Sequence, residues 1–477
     1  MRKLLTPLLG IIIISASVST VVACGNNKTS QKELDKVVGM DIDKSSASDE
    51  KPKNLQYGIT DFYTIGDSLS DGGALFHALG FKAKALLDII ASDPKTLDPI
   101  VKNILVNYLH FNVSDFQLKN LITLAKAIIG YDSWKININL VNEKNESRNY
   151  YNDNGAAAIW LANKLGFNID DTINGAEKPQ GGLKFDYGFE VNINGKLKHK
   201  YGRNYAIAGS TAQEQSGISG ILLNDWRISE QARVVVMQHK ILPNDLVMME
   251  IGGNDLYNLA ATNNDKEKNA LMNSSINDIR RAILTLVNNG VKKIMFLNAP
   301  DISLTPNIIN LTSDKKRASE ITKEFNNKVS ATINDIENEY EESNLNIQKY
   351  NLFSKFNSII ENSQKEDVKT NITDSTVKFD FSKETKTNLE NLKNLIENII
   401  KEQKEGKFPL DALAIGSKIE TFLKSINILV SDNESINKDN PADPKDGKGG
   451  YVFWDKIHPR TWVHKEIAQD MFDMLKK

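Results

Sequence analysis

A chain of 477 residues, 40% hydrophobic and 25% charged, is long and apolar enough to bury a sizeable core, as one large domain or two ordinary ones. Its formal charge of −2, with no long basic run and no arginine-rich stripe, excludes the electrostatic footprint of a nucleic-acid binder. Its one cysteine excludes an intramolecular disulfide, so an exported form must rely on its core.

Arg2 and Lys3 precede an apolar stretch from Leu4 to Ala23, and Cys24 follows at once. A basic start, an apolar segment and small residues at its boundary describe a secretion signal over 1–23. The stretch is also just long enough to span a bilayer as an uncleaved helix. The string Val21-Val22-Ala23-Cys24 resembles a lipobox, which makes Cys24 a lipidated first residue and puts the chain on the extracytoplasmic face of the cell membrane. Residues 24–56 then read as the lipidated cysteine and a flexible tether, rich in Asn, Lys, Ser, Asp and Glu. The folded part is expected from Tyr57 to the end, 57–477.

From there short apolar runs alternate with helical patterns. Runs at Phe62–Ile65, Tyr205–Ala208, Leu246–Ile251 and Ile294–Leu297 end in Gly66, Gly209, Gly252-Gly253 and Asn298, and a weaker fifth lies around Ile347–Phe353. Ile276, Ile279, Ile283, Leu286 and Val287 share a helical face that Gly290 terminates. Ala318, Ile321, Phe325, Val329, Ile333, Ile336 and Tyr340 form another. This alternation predicts an α/β fold with three layers, α/β/α, around a central, mainly parallel sheet of about five strands. The site is then expected at the carboxyl ends of the strands. Two stretches fit the alternation poorly and read as insertions. Residues 75–147 carry helix-like patterns without a clear strand, as a partial cap or as solvated decoration. Residues 360–448 are polar, with amphipathic pieces around 389–400 and 410–429.

Chemistry concentrates at the strand ends. Gly66-Asp67-Ser68-Leu69-Ser70-Asp71-Gly72-Gly73 follows the first strand, where a tight turn exposes Ser68 and the amino end of a following helix favours negative charge. Alone, Gly-Asp-Ser is also an ordinary helix cap. Near the end, Asp455 and His458 stand three residues apart, close enough for the carboxylate to hold one ring nitrogen and leave the other to take a proton from Ser68. His464 is the nearby rival base. Gly209 and Asn254, each after a strand, offer an N–H and a side-chain amide to an oxyanion, although each is also a common turn residue.

Four blocks in this order, GDSLSDGG (66–73), NYAIAGSTA (204–212), IGGNDLYN (251–258) and DKIHP (455–459), resemble the GDSL esterase/lipase family, or SGNH hydrolases. The linking stretches 150–166 and 297–306 and the ending YVFWDKIHPRTWVHKEIA resemble the branch with bacterial phospholipases, haemolysins and acyltransferases. Two positions depart from the pattern: Ala74 stands where an asparagine is common, and Ala208 where a glycine is frequent. The resemblance implies a flavodoxin-like sheet and a carboxylic-ester hydrolase. Ser68 is then nucleophile, His458 base and Asp455 its orienter, with Ser68, Gly209 and Asn254 as oxyanion donors and no metal or organic cofactor. The expected substrate is an ester or lipid. A membrane tether places the site near lipids, in keeping with a lipase or phospholipase. A carbohydrate O-acetyl esterase, an acyltransferase on the same residues, or a non-catalytic surface-binding lipoprotein are the other readings.

Overall fold

The computed structural model describes residues 31–45, 47–49, 51–52, 55–72, 74–75, 135–141, 155–166, 189–193, 196–216, 220, 223–309, 315–365, 378–405, 425–431, 452–453 and 455–476. In chain order the strands are β1 (Phe62–Gly66), β2 (Lys135–Val141), β3 (Phe189–Ile193), β4 (Lys196–Lys200), β5 (Leu246–Glu250), β6 (Lys293–Leu297), β7 (Asn346–Tyr350), β8 (Lys378–Phe381) and β9 (Ser425–Ser431). The helices that matter below are α1 (Gln31–Asp35), α2 (Ala157–Lys164), α3 (Ile228–Gln238), α4 (Gly253–Ala261) and α5 (Asp265–Asn288). They continue with α6 (Lys315–Glu339), α7 (Leu352–Lys365), α8 (Lys383–Lys404) and α9 (Thr461–Leu475).

The main unit is built on a parallel sheet of order β1-β5-β6-β7, in which Gly66, Glu250, Leu297 and Tyr350 lie side by side at the carboxyl ends. β1, β5 and β6 are largely apolar runs because both faces are covered, whereas the edge strand β7 is polar and partly exposed. Side chains alternate between the two faces. Tyr63, Ile65, Val247, Met249, Ile294, Phe296 and Ile347 meet residues of α3, α4, α5 and α6. Phe62, Leu246, Met248, Met295, Leu297 and Tyr350 meet α2, α7 and α9. Three layers, α/β/α, result. The helical faces read from the sequence are the buried ones: Ile279, Ile283 and Leu286 on α5, and Phe325, Val329 and Ile333 on α6, are at most 1% exposed.

Among the described residues this sheet has four regular strands, where about five were expected. Residues 203–207 do run along the free edge of β1, with Thr64 N–H donating to Arg203 O (2.9 Å), Tyr205 N–H to Thr64 O (2.8 Å) and Ile207 N–H to Gly66 O (3.1 Å). Only Asn204 forms a strand-like bridge there. The reason is local: the outward N–H of Ala206 donates to Asn204 Oδ1 (3.1 Å) and that of Ala208 to Asp71 Oδ2 (2.8 Å). Side chains thus satisfy what a further strand would otherwise pair. Counting this segment, the order is that of a flavodoxin-like sheet, whose switch point falls between β1 and β5.

The expected tether is a correction. From Gln31 the chain is not loose: Asn288 Nδ2 donates to Asp35 O (2.8 Å) and Val38 O (2.9 Å), Asn289 Nδ2 to Gly39 O (3.0 Å), and Ile42 joins the core. Polar composition hid these few anchoring positions. The remainder of the expected tether, Cys24 and the signal segment lie outside the described residues.

A second compact unit contains β2, β8, β9 and α8. Its sheet has the order β2-β9-β8, with β2 and β9 parallel and β8 and β9 antiparallel. A strand therefore exists within 75–147, and it pairs with one from the second polar stretch. That stretch also begins later than 360, since Ile359 and Ile360 of α7 belong to the main core. The hairpin β3–β4 is a further element that the sequence reading did not mark. No helix among the described residues is long and apolar enough to cross a membrane.

Candidate active site

Ser68 sits in a turn just past β1. Leu69 N–H donates to Asp67 Oδ1 (3.1 Å), and the N–H groups of Ser70 and Asp71 donate to Asp67 O (3.1 and 2.9 Å), which closes the turn on itself. Gly66 leads into it because nothing larger fits: a Cβ there would lie 2.5 Å from the Glu250 carbonyl oxygen. Gln231 of α3 grips the same residue from the side, accepting from Gly66 N–H (2.7 Å) and donating to Gly66 O (2.9 Å).

The last block comes to this turn from the other end of the chain. His458 Nε2 is 2.7 Å from Ser68 Oγ, and His458 Nδ1 is 2.6 Å from Asp455 Oδ2. Asp455 Oδ1 accepts from the N–H groups of Ile457 (2.7 Å) and His458 (2.6 Å), so the carboxylate organises its own loop as well as the ring. Burial pushes the Asp455 carboxyl up, but the nearby His458 and the two backbone donors outweigh it, and its pKa lies below the ordinary value. His464 borders the same cavity but is otherwise engaged: it is 2% exposed, and its Nδ1 accepts from Ala157 N–H at the start of α2 (3.2 Å).

The two middle blocks form one fastened loop. Gly209 has φ +82°, a left-handed conformation that favours glycine. Around it, Ala208 N–H donates to Asp71 Oδ2 (2.8 Å), Asn254 Nδ2 to Ser210 O (2.9 Å), Ala212 N–H to Asp255 Oδ2 (2.9 Å) and Gln213 N–H to Asp255 Oδ1 (2.8 Å). One amide hydrogen of Asn254 remains beyond that bond. The backbone N–H groups of Ser68 and Gly209 donate to no partner among the described residues.

Beneath the turn lie two carboxyl groups that the sequence reading missed as a pair. Asp67 and Glu250 are each 1% exposed and within hydrogen-bonding reach of one another. Asp67 Oδ2 and Glu250 Oε1 have no donor among the described residues. Burial, reinforced by the charge of Asp67, pushes Glu250 well above the usual carboxylate range. Burial likewise raises Asp67 to about 6. Two buried carboxyls this close favour sharing one proton over carrying two charges.

Ser68, Asn254 and this pair border a cavity that is partly open to solvent. Its other walls are mostly apolar and include Met248, Leu297, Leu352, Phe356, Ile457 and Ile467. Among the described residues no group of three or more His, Cys, Asp or Glu side chains is placed to hold a metal ion.

A hydroxyl bonded to an imidazole, which a carboxylate orients, beside unpaired N–H donors and an apolar cavity, is equipment for acyl transfer on an α/β sheet. A family model matches residues 62–471, and the chain belongs to the GDSL-like lipase/acylhydrolase family. It is therefore an esterase- or lipase-type acyl hydrolase, acting on ester or lipid substrates. No curated protein matches the chain.

Proposed function

We propose that the chain hydrolyses carboxylic esters of apolar acids through Ser68, His458 and Asp455. The observation that carries this reading is the continuous relay from Ser68 Oγ through His458 (2.7 Å) to Asp455 (2.6 Å). His458 Nε2 takes the Ser68 proton as Oγ bonds to the ester carbonyl carbon, and the carbonyl oxygen becomes an oxyanion. The Ser68 and Gly209 N–H groups and the Asn254 amide receive that charge. As the tetrahedral centre collapses, the carbon–oxygen bond to the alcohol breaks and His458 returns the proton to the leaving oxygen. Water, deprotonated by His458, then releases the acid from Ser68 by the same steps. The mostly apolar lining beside Ser68 supports an apolar acyl chain, hence a lipase- or phospholipase-like preference. In this reading residues 1–23 are a signal peptide, and lipid on Cys24 holds the enzyme at the outer face of the cell membrane.

The test is turnover of p-nitrophenyl esters of increasing chain length by wild type and Ser68→Ala. Hydrolysis is expected to be abolished by the substitution and to favour medium or long chains. Equal rates in the two proteins would remove Ser68 as nucleophile, and a strict preference for acetate would remove the acyl-chain reading.

A further inference from the structure

In a parallel sheet every βα connection lies at one pole of the domain and every αβ connection at the other. Ser68, Asn254 and the loop after β6 occupy the carboxyl pole. The amino-terminal arm, residues 31–52, occupies the opposite one. Asp35, Val38 and Gly39 bind Asn288 and Asn289, where α5 ends and the chain turns towards β6. Ser48 N–H donates to Gln238 O and Ser48 O accepts from Lys240 N–H (both 2.8 Å), where α3 ends. Lys51 Nζ bonds Asp245 Oδ2 (2.6 Å), immediately before β5 begins.

Leu34, Val37 and Met40 on this arm are 46%, 62% and 57% exposed. With Tyr57 they are the exposed large hydrophobic residues among those described. Their spacing of three puts them on one side of the helix-and-turn segment, where Lys32, Glu33, Lys36 and Asp41 are exposed beside them. A row of exposed apolar side chains within a mixed-charge rim suits shallow insertion at a lipid surface.

The length of chain ahead of the arm settles which surface that is. Six residues separate Cys24 from Gln31, a leash of about 25 Å between their Cα atoms at full extension. A compact unit of this size has a radius of gyration of about 20 Å and hence a diameter of about 50 Å. The leash is too short to carry the opposite pole round to the same bilayer. We infer that the arm around Leu34, Val37 and Met40 rests on the bilayer that holds Cys24, and that the active site faces away from it. This rests on the lipid anchor of the proposed function, and it revises the expectation that a tether brings the site to the adjacent lipids. The substrates are then esters that arrive from outside: soluble ones, or lipids of an apposed membrane or micelle.

The experiment uses full-length protein matured in cells and reconstituted into phosphatidylcholine–phosphatidylglycerol vesicles. Wild type should take up no maleimide dye, because Cys24 is its one cysteine; labelling there would sink the anchor and this inference with it. Val37→Cys and Asn258→Cys then each carry a single dye, the first on the arm and the second on the exposed side of α4 near the active site. Spin-labelled lipids in the vesicle should quench the Val37 dye several-fold more than the Asn258 dye. Leu34→Asp with Met40→Asp should lower that quenching. Equal quenching at the two sites, or the reverse order, overturns the orientation. In the same vesicles, phospholipid in the enzyme's own bilayer should be cleaved more slowly than phospholipid added in separate micelles; faster cleavage in the enzyme's own bilayer overturns it too. Loss of ester hydrolysis with the quenching pattern intact would count against the proposed reaction and leave the orientation standing.

Discussion

Replacing Asp455 by asparagine preserves the shape of the last loop and removes one acceptor. Oδ1 of the aspartate serves two backbone N–H groups, at 2.7 and 2.6 Å, while Oδ2 faces His458 Nδ1 at 2.6 Å. Asparagine has a single oxygen. If that oxygen keeps the two N–H groups, the amide nitrogen confronts Nδ1, which must then accept. The ring proton moves to Nε2, where it blocks uptake of the proton from Ser68. The opposite flip forfeits two hydrogen bonds and sets donor against donor, costing roughly 2–4 kcal/mol. The wrong tautomer is thus favoured by roughly 30- to 1,000-fold. Loss of the carboxylate charge opposite the developing imidazolium adds to this, and kcat should fall by about 10³ to 10⁴. Steady-state hydrolysis of a p-nitrophenyl ester measures the fall, with thermal melting as a check that the fold is intact. An Asp455→Asn enzyme within tenfold of wild type at unchanged Tm would falsify the role given to this residue.

Three other outcomes follow from the geometry. Gly66→Ala forces β1 away from the Glu250 carbonyl and should cost about 1–3 kcal/mol in urea unfolding; an unshifted midpoint contradicts the close approach. His458→Ala should lower kcat by several orders of magnitude, whereas His464→Ala should instead cost about 1–3 kcal/mol of stability by orphaning the Ala157 N–H, and a reversal of the two effects would exchange their roles. Glu250 has a raised pKa in the folded protein, so its stabilising contribution is whole below its unfolded value and declines as pH rises towards the folded one, by at most about 1.4 kcal/mol per pH unit. Glu250→Gln removes that decline, so unfolding curves should show the variant gaining on wild type from acid to alkaline pH; a constant difference rules out the buried proton.

Much of the architecture was readable because each element declares itself over a few residues. Leu246–Glu250 and Lys293–Leu297 are apolar runs closed by turn residues, and α5 and α6 carry unbroken helical faces. What escaped depends on partners distant in sequence or on single side chains. The alternation of Ile136, Ile138 and Leu140 is visible in β2, but the strand it pairs with begins at Ser425. The edge segment after Arg203 is as apolar as a strand, yet Asn204 takes the N–H of Ala206 and bends it. In the site, Ser68, Gly209, Asn254, Asp455 and His458 could be singled out because each stands in a short block at a strand end or loop. Glu250 could not: an acid closing an apolar strand reads as the strand's end, and only folding brings it under Asp67. Between His458 and His464 the DKIHP block already pointed to His458, and folding sets its Nε2 2.7 Å from Ser68 Oγ.

Asp71 has a wider consequence than its place in the first block suggests. One of its oxygens accepts from Ala74 N–H, while the other accepts from Leu75 and, across the chain, from Ala208. A single carboxylate thus couples the loop that carries Ser68 to the loop that carries Gly209. Their spacing is set just before the sequence departs into 76–147 and is reinforced where it has returned. Changes of length or sequence between 76 and 147 should therefore leave the spacing of these two loops unaltered, provided that residue 71 keeps its charge. Variation among relatives should accordingly be broad between 76 and 147 and narrow at Asp71.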